Sequence, residues 1–411
     1  MKQGWEIKKL SEIGKVYNGN SINEKVKKDN YADLDEGFPF IATKDISYES
    51  VIDYDNGIKI PFSEKTSFKT APKNTVLICA EGGSAGRKIG FTNQEVCFGN
   101  KLFAITTNNN IESRYVYYYY FSSTFQKHFA VELAGIIGGV SMNKFKDLEI
   151  PVPSLTEQQR IVSILDEAFA AIAKAKANAE QNLKNAKELF ESYLQGVFEN
   201  KGEGWEEKSL GDVCSLITDG KHGDCENEEN SGYYFLSAKD VRNGTLLFDN
   251  ARQITKSGFE ETHRRTNLKP GDICMVNTGA TIGRISFAPD DPRTYRTTFQ
   301  KSVAVIKTIP TLIDNSFCCY ILQSDLKKLV KVSSGTAVPN LLLGDLKRHK
   351  INLPKSKTEQ HTIVCQFDAL RVETQKLEAL YQKKINDLEE LKKSILQKAF
   401  AGELKTEKEL A

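Results

Sequence analysis

Three stretches of this 411-residue chain carry residue types that could do chemistry. "TDGKHGD" (Thr218 to Asp224) sets Asp219, His222 and Asp224 close enough in sequence to share a cation. "EGGSAGRKIG" (Glu81 to Gly90) has the glycines of a loop that cradles phosphate. The phrase "TEQ" occurs twice, as "PSLTEQQRIVSILD" (Pro153 to Asp166) and "PKSKTEQHTIVCQFD" (Pro354 to Asp368), the second with His361 beside its glutamate and glutamine. None of the three holds up as a catalytic signature. The place of "TDGKHGD" is taken in the first half by "YNGNSIN" (Tyr17 to Asn23), so a loop contact is the better reading. The glycine loop lacks the Lys-Ser/Thr that completes a nucleotide-triphosphate site and reads as a tight turn between strands. HExxH, a GxGxxG opening a helix and the Asn/Asp-Pro-Pro-aromatic signature of amino-methyltransferases are missing. The five histidines (His128, His222, His263, His349, His361) show no metal-ligand spacing. The sequence therefore predicts no catalytic centre and no metal.

What remains is the repetition itself. "GWEIKKLSEI" (Gly4 to Ile13) returns as "GWEEKSLGDV" (Gly204 to Val213), and "FIATKDI" (Phe40 to Ile46) as "FLSAKDV" (Phe235 to Val241). "GGSAGRKIGF" (Gly82 to Phe91) returns as "GATIGRISF" (Gly279 to Phe287), and "FGNK" (Phe98 to Lys101) as "FQKS" (Phe299 to Ser302), with Lys101 set against Lys301. Each half closes on "LQGVF" or "LQKAF". Matches in constant order at a nearly constant offset mark a tandem duplication. Composition permits several domains with real cores: 40% of residues are hydrophobic and 27% charged. The net charge of +2 announces no nucleic-acid partner by itself. The eight scattered cysteines suit a reducing compartment, and no apolar run suggests a membrane span or signal peptide, so a cytoplasmic protein is expected.

In each half the texture changes at the TEQ phrase. Before it, β-rich runs such as "NTVLICA" and "DICMVNT" alternate with Gly, Asn and Asp turns, the pattern of a mixed domain with a few helices, as at Ser113 to Phe129 and Asn315 to Val330. After it the chain is rich in Ala, Leu, Glu, Lys and Gln for roughly forty residues, the composition of a long helix. The phrase is a helix start: a proline ends the preceding strand, Ser154 or Thr156 and Thr358 are the expected N-caps, and Glu157 and Glu359 face the positive dipole end. The expected boundaries are a mixed domain at 1–152, a long helix at 153–199, a second mixed domain at 200–353, a second long helix at 354–403 and a tail at 404–411. Heptad stepping gives seams through Ile161, Leu165, Ile172, Ala179, Asn182, Leu189 and Tyr193, and through Ile363, Phe367, Leu377, Tyr381, Lys384, Leu388 and Leu391. The first seam is mostly alanine and the second mostly leucine, so they complement each other, with Asn182 and Lys384 to set register. A short linker makes the pair antiparallel, and forty residues of helix amount to a rod of roughly 60 Å. Two similar domains on a rod without catalytic residues suit a pair of targets at a fixed spacing, as duplex DNA provides.

These phrases, together with "SSGTAVPNL" (Ser333 to Leu341), resemble the specificity (S) subunit of type I restriction-modification systems over nearly the whole chain. The resemblance implies an α+β fold with two similar mixed α/β target-recognition domains, two long antiparallel coiled-coil helices and a pseudo-two-fold internal repeat. It implies a non-catalytic subunit that binds double-stranded DNA and docks two methyltransferase (M) subunits. Restriction (R) subunits join in the full complex. No cofactor is expected on this chain: S-adenosylmethionine belongs to the M subunit, ATP and Mg to the R subunit. The first half departs from the pattern, with "GIIGGVSMNKF" (Gly135 to Phe145) in place of "SSGTAVPNLLLGDL". Phosphate is neutralised by Lys and Arg, and base edges are read by Arg, Lys, Asn and Gln. Candidates of these types are Asn18, Asn20, Lys44, Arg87, Lys88, Asn100 and Lys101 in the first domain. In the second they are Lys221, His222, Lys239, Arg284, Gln300 and Lys301. Residues shared by both halves compete with a structural reading, "TKD" and "AKD" as an internal Lys-Asp pair above all. Base readers are also expected where the halves disagree, at 20–36 and 221–232. The alternatives are a non-catalytic coiled-coil scaffold and a diverged DNA methyltransferase or nuclease.

Overall fold

The computed structural model describes residues 3–31, 34, 36–134, 138–242, 244–331 and 339–404. Most of "SSGTAVPNL", the start of "GIIGGVSMNKF" and a few positions in 20–36 lie outside the described residues. The chain forms two compact units, Met1–Glu180 with Gln382–Ala411, and Gln181–Tyr381.

In the first unit the strands Gly14–Asn18, Leu102–Thr107, Val76–Cys79 and Ile89–Phe91 form an antiparallel sheet in that order. "VLIC" is apolar at every position because the sheet is covered on both faces. Val76 and Ile78 enter a core with the helices Ser113–Tyr119 and Ser123–Val131, whereas Leu77 and Cys79 enter a second core with Ile46, Val96 and Phe98. Phe38–Ile41 pairs in parallel with Val96–Phe98 in the adjoining sheet. Glu6–Lys9 pairs with Glu149–Val152 and so ties the opening "GWE" phrase to the strand before the long helix.

The second unit repeats the plan. Cys214–Asp219, Val303–Thr308, Ile273–Val276 and Ile285–Phe287 form the same four-stranded sheet. Ile273 and Met275 point into the helical core while Cys274 and Val276 point into the other. Tyr234–Leu236 pairs in parallel with Thr297–Phe299, and Trp205–Ser209 pairs antiparallel with Lys350–Pro354. Among the described residues one difference between the units is a helix, Lys256–Thr266, in the second where the first has the short 3-10 segment Phe62–Ser67.

The two long helices are Leu155–Glu199 and Lys357–Ala401, each of 45 residues. Within the first unit Phe169 lies under the Lys392 ammonium (4.9 Å to the ring centroid) and Lys176 pairs with Glu389 at 2.7 Å. Within the second, Phe190 and Phe198 meet Phe367. Numbers rise along one helix as they fall along the other, so the pair is antiparallel.

The heptad seams need correction. Ile161, Leu165, Ile172, Ala179, Ala186 and Phe367 are buried, and Ile363, Tyr381 and Leu388 half-buried, but Leu189, Leu377 and Leu391 are exposed, as are Asn182 and Lys384. In the first helix the buried stripe slips by one residue beyond Ala186, to Phe190 and Leu194. In the second, the alternate positions fall one residue later, at Val364, Arg371 and Ile385. A helix of 3.6 residues per turn drifts about 20° per heptad from a strict 3.5 repeat, so stepping carried over six heptads leaves the buried face. Each helix start also packs on its own domain, which widens the apolar stripe beyond one seam. The caps are Ser154 and Ser356, whose Oγ atoms accept from Glu157 N (3.4 Å) and Glu359 N (3.3 Å), and not Thr358, which lies inside its helix.

Candidate nucleic-acid interface

The sheet ends gather the candidates at one rim of each unit. In the first, Asn18 ends its strand, and the following loop is stitched to the next hairpin: Asn20 N donates to Phe98 O (2.9 Å) and Asn100 N to Asn20 O (3.1 Å). The side chains of Asn18 and Asn20 both face Lys69, as Asn18 Oδ1 accepts from its Nζ (2.9 Å) and Asn20 Oδ1 from its backbone N (2.8 Å). Asn20, Lys44, Asn100 and Lys101 line a cleft of about 320 Å³. Glu24 lies there too; Lys27, bonded to it at 2.5 Å, holds its carboxyl below the usual range, with Lys44 adding to the effect. Lys88 donates to Thr43 O (3.0 Å), and both Lys88 and Arg87 lie against the exposed Tyr48 ring at 5.3 and 5.4 Å. A cation held on an aromatic face is a preorganised contact for a polyanion.

The second unit builds the same rim with different side chains. Lys221 N donates to Phe299 O (2.7 Å) and Lys301 N to Lys221 O (3.0 Å). These bonds correct the pairing of "FGNK" with "FQKS": Asn100 answers Lys301, and Lys101 answers Ser302, because Ala80 N donates to Lys101 O (2.9 Å) as Asn277 N does to Ser302 O (3.1 Å). Lys221 Nζ pairs with Glu261 (3.1 Å), which raises its pKa. Gln300 bridges to Lys221 through the backbone, and Lys239 and Arg284 are exposed at the positions of Lys44 and Arg87. In "TDGKHGD" the buried Asp219 receives Arg265 Nη2 on Oδ1 (2.5 Å) and stands 3.1 Å from His222 Nε2, while Asp224 turns to Arg252 (2.5 Å). Among the described residues no three His, Cys, Asp or Glu side chains converge as metal ligands.

Several repeated phrases prove to be scaffolding. In "TKD" and "AKD" the aspartate serves its own turn: Asp45 Oδ2 accepts from Ala42 N (2.8 Å) and Asp240 Oδ2 from Ser237 N (2.8 Å), leaving Lys44 and Lys239 exposed. The expected Lys-Asp pair is therefore replaced by an Asp-backbone bond. The glycine loop is a tight turn, with Arg87 N donating to Ser84 O (3.0 Å) and Arg284 N to Thr281 O (3.2 Å). Gly86 (φ +73°) and Gly283 (φ +88°) have no room for a Cβ, which would stand 2.7 Å from Phe129 and 2.0 Å from Leu326. The divergent loop of the first half keeps the register of the second where it is described, since Val140 N donates to Ala80 O (3.0 Å) as Leu341 N does to Asn277 O (2.8 Å).

The glutamine of "TEQ" does what its neighbours suggested no reason for. Buried Gln158 accepts from Glu112 N (2.8 Å) and donates to Pro153 O (2.9 Å); Gln360 accepts from Asp314 N (2.9 Å) and donates to Pro354 O (2.9 Å) and Leu312 O (3.0 Å). Each bolts the long helix to the domain it leaves. Farther on, Tyr118 donates to Asp166 and Tyr320 to Asp368. Burial and that carboxylate push the Tyr118 hydroxyl up to about 12, so it stays a donor.

Sequence reasoning missed Lys69, Arg265 and Asn277, all at the rim or its cleft. Lys69 and Arg265 hold Asn18 and Asp219 in the two units from non-equivalent elements, so no repeat signals them. Asn277 stands where the first half has Ala80, a disagreement that the sequence does show.

The sequence profile described as "Type I restriction modification DNA specificity domain" matches residues 2–184 and 202–390. Over 98% of its length the chain is 23% identical to the type I restriction enzyme MjaIX specificity subunit of Methanocaldococcus jannaschii, of which 94% is covered. It is 24% identical to the EcoKI specificity subunit of Escherichia coli K12, with 98% and 90% covered. A solved chain from work on assembly and conformational transition of the type I R-M system shares the fold at a TM-score of 0.79, with 19% identity and 98% and 99% covered. The HsdS subunit from Thermoanaerobacter tengcongensis does so at 0.64, with 20% identity and 98% of each chain covered. Among the described residues no helix is long and apolar enough to cross a membrane. A rim built twice on one plan, at the mouth of a domain that the profile finds twice, places the chain in the type I restriction-modification DNA specificity family, with two copies of its domain.

Proposed function

We propose that this chain is the specificity subunit of a type I restriction-modification complex, each unit reading one half of a two-part site on duplex DNA. The observation that carries the reading is the rim itself: its backbone bonds recur in both units, while its side chains differ. Asn18, Asn20 and Asn100 stand opposite Asp219, Lys221 and Lys301. A constant frame with variable tips is what reading two different half-sites from one fold requires. Lys44, Arg87, Lys88 and Lys101, with Lys239, Arg284 and Lys301, supply phosphate contacts, and Asn18, Asn20, Asn100, Lys221, His222 and Gln300 reach for base edges. The chain reads and does not react. Two methyltransferase subunits docked on it bring S-adenosylmethionine, and restriction subunits bring ATP and Mg. The paired helices set the unread spacer.

A gel-shift assay with the chain and its methyltransferase subunit tests this. Binding selective for a two-part duplex is expected, with affinity falling steeply as salt rises. Equal affinity for all sequences would refute the reading.

A further inference from the structure

Asn277 follows the central strand Ile273–Val276, is 3% exposed, and its Oδ1 has no hydrogen-bond partner among the described residues. Buried polar atoms in folded proteins are nearly always paired, so an unpaired one needs a physical account. Asn277 lines a cleft of about 400 Å³ together with Asp219, His222, Arg265, Thr278 and Lys301. The walls of that cleft are held in place. Arg265 Nε donates to Asp219 O (2.9 Å) besides its bond to the carboxylate, and Thr278 Oγ1 donates to Asn340 Oδ1 (2.7 Å). Asp219 is matched by Arg265, which leaves Lys301 as further positive charge at the mouth.

The fold does not need this amide. The backbone bonds of Asn277 are those of Ala80 in the first unit, where a methyl group fills the place. Stability is thus served by alanine, and the asparagine is particular to the second half.

We infer that Asn277 is a base-reading residue of the second unit. Its amide turns to the edge of one base, Arg265 and His222 flank it on Asp219, and Lys301 meets the adjoining phosphate. A group that both donates and accepts complements the N6/N7 edge of adenine. The inference rests on the DNA-recognition role proposed above and goes beyond it by assigning a specificity determinant and its base.

The test uses Asn277→Ala in the full chain complexed with its methyltransferase subunit, a change that the first unit shows the fold to accept. The methylated motif is mapped, and binding is measured on duplexes altered one base pair at a time in the second half. In the unmodified complex, discrimination of roughly five- to hundredfold is expected at one A·T pair. In the variant it drops to near unity there, with the first half and the gap unchanged. An unaltered second half, or an equal loss of binding to every duplex with discrimination kept, overturns the inference; relaxation at a G·C pair overturns the adenine assignment. A wild-type complex without any two-part motif would instead overturn the DNA reading beneath it.

Discussion

A buried carboxamide must find partners for both its donor and its acceptor, and Gln158 and Gln360 find the same ones in both units: the backbone N–H at the start of a domain helix and the carbonyl of the proline before the long helix. Replacing either by leucine keeps the volume but leaves those backbone groups buried without partners, each costing about 1–3 kcal/mol. Gln158→Leu and Gln360→Leu are therefore expected to destabilise the protein by about 2–4 kcal/mol in denaturant unfolding. The same change at exposed Gln159 is expected to cost less than about 0.5 kcal/mol. The TEQ phrase was legible as a helix start, because caps and dipoles are local. Its glutamine was not, because the partners Glu112 and Asp314 lie 46 residues upstream. For the same reason Lys101 was set against Lys301: sequence similarity aligned two lysines, whereas the hydrogen bonds of the hairpin align Asn100 with Lys301.

At the scale of elements, composition sufficed to find both long helices, and the all-apolar runs to find the central strands. The buried stripe of the helices was read from a strict heptad, and its phase failed where helix drift and contact with the domain take over. The corrected phase makes a sharp contrast. Ile385→Ala, in the buried stripe, is expected to cost about 2–4 kcal/mol, whereas Leu391→Ala on the exposed face is expected to cost less than about 0.5 kcal/mol, both by thermal or denaturant unfolding. A second prediction concerns the helices Leu326–Lys331 and Leu343–Arg348. Asp325, ahead of the first, bonds to His349 Nε2 (2.9 Å) at the end of the second and to Lys328 Nζ (2.6 Å). Burial raises the pKa of its carboxyl, but those two partners outweigh burial and hold it below the usual range. The folded state then binds fewer protons than the unfolded chain in acid. Its contribution is present above the unfolded value near 4 and is lost as pH falls through the lower folded one. The Tm difference between the wild type and Asp325→Asn should accordingly narrow between pH 6 and pH 3; a gap that widens would contradict the assignment.

For the molecule as a whole, the duplication was plain in the sequence, because two copies of one fold need the same glycines, caps and core positions. The tips of the rim were only half legible: residues shared by both copies, such as Asp45 and Asp240, proved to hold turns, while Lys69 and Arg265 had no counterpart to mark them and Asn277 showed only as a disagreement with Ala80. That division of labour is the core of the account, a frame that must be the same twice and side chains that must differ. The most direct test maps methylated bases in DNA from cells carrying this chain with its methyltransferase subunit. Two short specified sequences separated by a gap of unspecified bases are expected, with the second alone changing when residues 204–352 are exchanged for those of a relative. A single contiguous motif, or two halves that both change in that exchange, would contradict it.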